Sequence, residues 1–255
     1  MFSTYREIFK KRANSYHSAM TRFPDARRQE FQQAISYLNL SEGSLLCDVP
    51  AGGGYLGRFL PTDAGCLFVE TSGLFASHCP RDAKHWALQA KLEILPLADN
   101  SVTHLLCLAA LHHIIEKVRT LSEFRRILTS GGIAVLADVE AGTGTASFLN
   151  EFVHRFNSMG HEGLFLDETF LANIDSCGLE LIQVHRPTLK WCFPGRDEMT
   201  DFCKHLFGLD LAARADVEAG IEEYLGYNEE DSGIKMNWEL NYVVVQKPPI
   251  QTKTD

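Results

Sequence analysis

The chain has 255 residues, a length that suits one domain near the upper limit of a single hydrophobic core. Apolar residues make up 45% and charged residues 22%, the balance of a globular protein, which excludes global disorder. The formal net charge is −9, most of the excess acid falls in 196–231 and no lysine-rich stripe is present, so nucleic acid is not expected as a partner.

The opening stretch, Thr4 to Leu40, has the spacing of two helices parted at Pro24, with Asp25 placed to cap the second. A short apolar run from Ser44 to Val49 follows as a strand, then the glycine cluster Gly52-Gly53-Gly54, then the helical pattern of Tyr55, Leu56, Phe59 and Leu60. Further strands are predicted at Gly65 to Val69, Trp86 to Leu92, His104 to Ala109 and Ile133 to Ala137, with a helix over Leu121 to Leu128 before the last of them. Beyond these lie a helix at Asp167 to Cys177 and a strand at Leu179 to His185. Next comes an excursion from Pro187 to about Lys235 with helical patterns at Asp197 to Phe207 and Ala213 to Leu225. A strand at Trp238 to Gln246 ends the pattern. Strands alternating with helices imply a doubly wound, mainly parallel α/β sheet, and the unbroken apolar runs fit strands buried on both faces.

The longest apolar run, Leu105 to Leu111, is far short of the roughly 18 residues that a membrane span needs, so no membrane association is expected. Met1 to Arg12 is polar and basic rather than secretory in character, and a cytoplasmic protein is expected. The seven cysteines form no CxxC pair and read as reduced core thiols. Ten histidines lack HxxxH or Cys/His spacing, so no metal site is expected.

A glycine loop between a buried strand and a helix lets backbone approach a ligand closely, and an acid ending the next strand can accept hydrogen bonds from ribose hydroxyls. Here that acid is Glu70, 22 residues after Asp48. GxGxxG occurs only in the offset frame Gly52 to Gly57. Asp48 directly before the loop would repel a pyrophosphate and suits a cofactor bearing an ammonium and a sulfonium. Charge therefore favours S-adenosylmethionine over a dinucleotide.

Four stretches then resemble the class I S-adenosylmethionine-dependent methyltransferases, especially the ubiquinone/menaquinone-biosynthesis-type branch. Leu46-Cys47-Asp48-Val49-Pro50-Ala51-Gly52-Gly53-Gly54 is similar to the family's first motif, and Val69-Glu70 to its ribose-binding acid. Leu95 to Thr103 is similar to the segment before the fourth strand, and Phe124 to Gly132 to the segment before the fifth. Pro50 stands where the family has its first loop glycine, and Lys91 near where it often has an adenine-binding aspartate.

The resemblance implies a seven-stranded sheet with its last strand antiparallel, N-terminal helices over the cofactor and a helical lid inserted before the last strand. It divides the chain into a cap at 1–40, a cofactor domain at 41–186 and 236–247, and a lid at 187–235. The cofactor residues it implies are Asp48, Pro50, Ala51, Gly52 and Gly54 in the loop, Glu70 and Thr71 after the second strand, Lys91 and Leu92, Leu108 and Tyr16. His112 and His113 after the fourth strand and Glu140 after the fifth are the catalytic candidates, since a base is needed where the acceptor must lose a proton. For a small-molecule acceptor the candidates are Arg27 and Arg28 as a carboxylate clamp, with His161, Trp191 and Phe193 as pocket wall. The basic opening segment hints at an acidic acceptor. The alternatives are a non-catalytic subunit that binds the same cofactor and a nicotinamide-dependent oxidoreductase.

Overall fold

In the computed structural model residues 5–249 are described; the first four residues of the basic opening and the tail past 249 lie outside the described residues. Seven strands form the main sheet: β1 (Leu45–Asp48), β2 (Gly65–Glu70), β3 (His85–Gln89), β4 (Val102–Leu108), β5 (Leu128–Asp138), β6 (Glu180–His185) and β10 (Asn241–Gln246). Their order is β3-β2-β1-β4-β5-β10-β6. β1 pairs in parallel with β2 and β4, whereas β10 is antiparallel to both β5 and β6. The expected doubly wound sheet with an antiparallel last strand is what the chain forms.

Alternation along each strand explains the continuous apolar runs. Leu46, Phe68, Leu106 and Val135 face one core with helix α2 (Arg28–Leu38). Cys47, Val69, Leu105, Ala134 and Leu136 face the other, where Phe124 of α4 (Lys117–Ile127) and Phe170 and Ile174 of α7 (Glu168–Ser176) pack. Successive residues in the middle of these strands thus belong to opposite layers, which is why the runs there are apolar without alternation.

Three local expectations are corrected. Residues Tyr55–Phe59 form a 3₁₀ turn, not an α-helix: Gly57 lies against the Phe68 ring, which admits a tight turn, and Pro61 stops extension. Asp25 does not cap α2; it pairs with Arg28 and Arg58 instead, and the residue before the helix is Arg27. The excursion between β6 and β10 is not wholly helical. It carries α8 (Arg196–Leu206) and α9 (Arg214–Tyr224) together with a three-stranded antiparallel sheet, β7 (Thr188–Phe193), β9 (Gly233–Glu239) and β8 (Tyr227–Glu230). The expected final strand is therefore two strands, β9 in the small sheet and β10 in the large one.

Helix α1 (Tyr5–Arg22) bridges these layers beyond the carboxyl ends of the central strands. Arg12 bonds the carbonyls of Phe207 and Gly208 and the Asn157 side chain, and Ser15 bonds His205. Arg22 pairs with Asp201, 2.5 Å away. Between β5 and α7 the chain runs through a short helical segment, 144–156, with a π-helical turn at Phe148–Val153. No helix among the described residues is long and apolar enough to cross a membrane.

Candidate functional site

The strand order reverses between β1 and β4, the position at which open α/β sheets leave a crevice beyond the carboxyl ends of their strands. A cavity of about 130 Å³ lies there. The main sheet lines it with Asp48, Pro50, Ala51, Gly52, Leu108 and His112, and α1 closes it with Ile8, Phe9, Arg12 and Tyr16. Trp191 and Trp238 of the small sheet and Phe207 after α8 supply an aromatic wall. A second cleft of about 470 Å³, lined by Thr71, Lys91, Leu92 and Arg119, adjoins it, and His113 lines both. Ligand sites of roughly 300–1,000 Å³ are usual, so the inner cavity alone suits only the reacting end of a nucleoside cofactor. The outer cleft brings together Thr71, Lys91 and Leu92, three of the residues implied for the cofactor.

The loop after β1 holds three successive residues at positive φ, Gly52, Gly53 and Gly54, and the Val49–Pro50 peptide is cis. The glycines differ in what their bareness serves. A Cβ on Gly52 would meet only the Tyr16 hydroxyl, at 4.0 Å, across the cavity. A Cβ on Gly54 would lie 2.5 Å from Pro80 Cδ, so Gly54 serves loop packing and does not line the cavity, against its expected ligand contact.

Two buried acids flank this loop. Glu70 is wholly buried; one oxygen accepts from the Gly52 amide at 2.8 Å, the other from the Thr71 and Ser72 amides at 2.7 and 3.0 Å. Asp48 is buried on the cavity wall, and its carboxylate accepts no hydrogen bond from any described residue. Burial, reinforced by the charge of Glu70, holds the Asp48 carboxyl well above the usual carboxylate range. A cation entering the cavity would restore its charge.

Arg27 and Tyr16 meet at the cavity, but the fork of Arg27 is occupied. Its Nε and one terminal nitrogen hold Glu30, and the other donates to the Tyr16 hydroxyl at 2.6 Å. Glu30 also accepts from Trp191 Nε1 at 2.9 Å. Arg27 is thus a buried anchor for Tyr16 and Trp191, not a free carboxylate clamp. The sequence carries the signal, an arginine and a glutamate at i and i+3 on one helix face. Arg28 points away from the cavity: it is half exposed, paired with Asp25 at 2.8 Å. The expected acidic acceptor loses both its carriers.

Phe193 is likewise off the cavity, packed on Phe202 in the core of the insert. Glu140 is engaged by Arg186 through two 2.5 Å bonds, which hold its carboxyl below the usual range. It lies outside the cavity lining and is not placed to deprotonate a molecule there.

The histidines converge. His112 receives two contacts from the wholly buried Asp138: its amide donates to one carboxylate oxygen at 2.9 Å, and its Nδ1 lies 2.7 Å from the other. The Asp138 carboxylate accepts here, so His112 Nδ1 donates to it. His161, 49 residues later in the chain, comes to 5.4 Å from His112 and 5.3 Å from His113, ring centre to ring centre. Burial and the neighbouring histidines push His161 down to about 3 and His113 well below the usual imidazole value. Sequence reasoning missed Asp138 as a site residue, though it ends a buried strand as Asp48 and Glu70 do. It also missed Arg12, Trp238 and Ala109, whose left-handed backbone (φ 52°) turns the chain from β4 toward His112.

Comparison with known proteins comes down to one domain and a fold. Residues 48–136 match the family model described as a methyltransferase domain. No curated protein matches the sequence. Among solved structures, YcgJ of Bacillus subtilis has a TM-score of 0.66 at 14% identity, covering 87% of this chain and 99% of its own. The [4+2]-cyclase SpnF has a TM-score of 0.63 at 15% identity, covering 96% and 97%. Geranyl diphosphate C-methyltransferase from Streptomyces coelicolor, solved with Mg²⁺, geranyl diphosphate and S-adenosylhomocysteine, has a TM-score of 0.59 at 13% identity, covering 91% and 83%. The chain has the fold that these structures share, and the segment from the end of β1 into β5 matches a methyltransferase domain.

Proposed function

We propose that this chain transfers the methyl group of S-adenosylmethionine to a small acceptor with an apolar body. One observation carries the reading: two buried acids, Asp48 and Glu70, flank a glycine loop followed by a 3₁₀ turn. Without an α-helix N-terminus behind the loop, a diphosphate finds no dipole to offset those acids. A sulfonium and an ammonium find both charges favourable. The methyltransferase domain match supports the same cofactor, as does the S-adenosylhomocysteine bound by a protein of this fold.

In this reading Glu70 sets the Gly52 and Thr71 amides beside the ribose, Lys91 and Leu92 flank the base, and Asp48 holds the cationic end near Tyr16. The sulfonium is already activated, so alignment does most of the work, and orientation of this type supplies roughly 7–11 kcal/mol. Helix α1, as the cap, and the 187–239 insert exclude water and hold the acceptor against Trp191, Phe207 and Trp238. The indole N–H of Trp238 is buried without a partner among the described residues and suits an acceptor oxygen. An acceptor that must lose a proton does so at the histidine end of the cavity. The ubiquinone/menaquinone-type branch rests on the four motif stretches alone. Seven free thiols fit a reducing compartment such as the cytoplasm.

Calorimetry with S-adenosylhomocysteine and, separately, NADH tests the reading. Expected are binding of the first, none of the second, and at least ~10-fold weaker binding in Asp48→Ala, since an ion-pair contact of this type is worth more than 1.4 kcal/mol when buried. NADH binding without S-adenosylhomocysteine binding would replace it with an oxidoreductase. Tight cofactor binding with no turnover across a panel of phenols, amines and activated carbons would favour a non-catalytic subunit.

A further inference from the structure

We propose that His112, His113 and His161 bind a divalent late transition-metal ion, zinc being the reference case, with its open position facing the acceptor cavity. Each of the three offers one ring nitrogen, and these nitrogens lie within 4.8 Å of one another. A tetrahedral ion with metal–nitrogen bonds of about 2.0–2.1 Å needs them about 3.4 Å apart, so binding requires the rings to close by up to about 1.4 Å. Three neutral imidazoles with a vacant fourth position are the pattern of a catalytic rather than a structural zinc site.

The surroundings of the cluster carry the inference further than proximity does. A histidine ligand needs its other nitrogen held by an acceptor, which fixes the tautomer and aims the lone pair. His112 has that partner in Asp138, at 2.7 Å from Nδ1. His161 has it in Asn150, whose Oδ1 lies 3.0 Å from Nδ1. The orientation of that amide is fixed independently, because the same Oδ1 accepts from the Gly163 amide and its Nδ2 donates to the Gly163 carbonyl. Both rings therefore donate from Nδ1, and Nε2 is the nitrogen that remains for a metal. The nearby Lys117 ammonium is bonded to the Ile114 carbonyl and faces the carboxylates of Asp138 and Asp167, which offset its charge.

Such an ion deepens the proposed methyl transfer and rests on it for its role. An acceptor hydroxyl bound at the open position loses its proton to water, because coordination by a divalent ion strongly favours the anion. The oxygen then uses a lone pair to form the new oxygen–carbon bond while the carbon–sulfur bond of S-adenosylmethionine breaks. The bonding pair stays on sulfur, leaving a methyl ether and S-adenosylhomocysteine.

Metal binding is tested apart from catalysis. The full chain, stripped with EDTA and dialysed, is titrated with Co²⁺ and followed by visible absorption, with Zn²⁺ as competitor. Expected are one equivalent per chain, the intense bands of a tetrahedral site and displacement by Zn²⁺. His161→Ala should abolish the bands, and Asp138→Asn should weaken Co²⁺ binding ~10–100-fold, the usual effect of losing a ligand's supporting partner. Circular dichroism verifies folding of each variant; where Asp138→Asn does not fold, Asn150→Ala takes its place with the same expected weakening. A folded chain that takes up no Co²⁺, or uptake unchanged in His161→Ala, overturns the proposal. S-adenosylhomocysteine calorimetry on the same samples separates the two readings: cobalt uptake without cofactor binding keeps the metal site and removes the methyl transfer, and the reverse removes the metal site alone.

Discussion

Glu70 and Gly52 are tied across the carboxyl ends of β2 and β1: the Glu70 carboxylate accepts the Gly52 amide at 2.8 Å while its other oxygen takes two amides of the next turn. One side chain thus sets both the glycine loop and the end of β2. Hydrogen bonds to a buried charged group contribute about 1.5–3 kcal/mol each, and a neutral amide can accept at only one of its two ends. Glu70→Gln should therefore lower unfolding stability by about 2 kcal/mol and weaken S-adenosylhomocysteine at least ~10-fold. Urea titration and calorimetry read the two effects. A stability loss with unchanged cofactor affinity would make Glu70 a structural tie only.

Asp48 gives a prediction about protons. Its carboxyl is held well above the usual range by burial and by Glu70, so the empty cavity favours its protonated form. A cation beside it favours the carboxylate, so S-adenosylmethionine binding should release a proton and its affinity should rise with pH. Calorimetry in two buffers of different ionisation enthalpy measures the release. In Asp48→Asn it should vanish; release equal to wild type would assign the proton to another group.

Much of this arrangement is legible from residue order, and the remainder has identifiable reasons for being hidden. Strands buried on both faces must be apolar throughout, so β1, β2, β4 and β5 announce themselves, and their terminal acids come with them. The small sheet went unread although β7 and β9 alternate cleanly: Leu189, Trp191 and Phe193 are buried, as are Ile234, Met236 and Trp238. The aromatic weight of the first group resembles a pocket wall as much as a strand. The histidine cluster has no local signature, because His161 arrives from a loop after the π-helical turn and meets His112 only through the tertiary fold. The Arg27–Glu30 pairing is legible from its i, i+3 spacing, but its burial is not, since Glu30 is enclosed only once Trp191 closes over α2.

In the metal-free chain the histidines also shape acid stability. His161, pushed down to about 3, and His113, well below its usual value, are neutral when folded, whereas the unfolded chain protonates them near 6.5. As pH falls below about 6.5 the unfolded state binds the protons first, so stability is full above that pH and declines toward pH 3, by at most about 1.4 kcal/mol per pH unit per group. Asp48 acts in the opposite sense, taking its proton earlier in the folded state. His161→Gln should flatten the decline between pH 6.5 and 4 by up to one proton, while Asp48→Asn should steepen it. Urea titrations across that range give the slopes, and an unchanged slope in His161→Gln would show that this imidazole is solvated and protonates normally.

Gly52 and Gly54 separate ligand access from loop packing within three residues. Both have positive φ, 57° and 75°, so alanine at either costs about 1–2 kcal/mol of backbone strain. At Gly54 the new methyl would also meet Pro80 Cδ at 2.5 Å and the Cys79 Cα at 3.1 Å, an overpacking that adds about 1–3 kcal/mol. At Gly52 it would meet nothing nearer than the Tyr16 hydroxyl at 4.0 Å, in the space the cofactor is proposed to enter. Gly54→Ala should accordingly destabilise by about 2–5 kcal/mol with a cofactor affinity close to wild type in the fraction that folds. Gly52→Ala should keep most of its stability and lose at least ~10-fold in S-adenosylhomocysteine affinity, the equivalent of one lost close contact. Thermal unfolding paired with calorimetry distinguishes them, and a Gly52→Ala variant that binds S-adenosylhomocysteine as wild type does would place the cofactor elsewhere than against this loop.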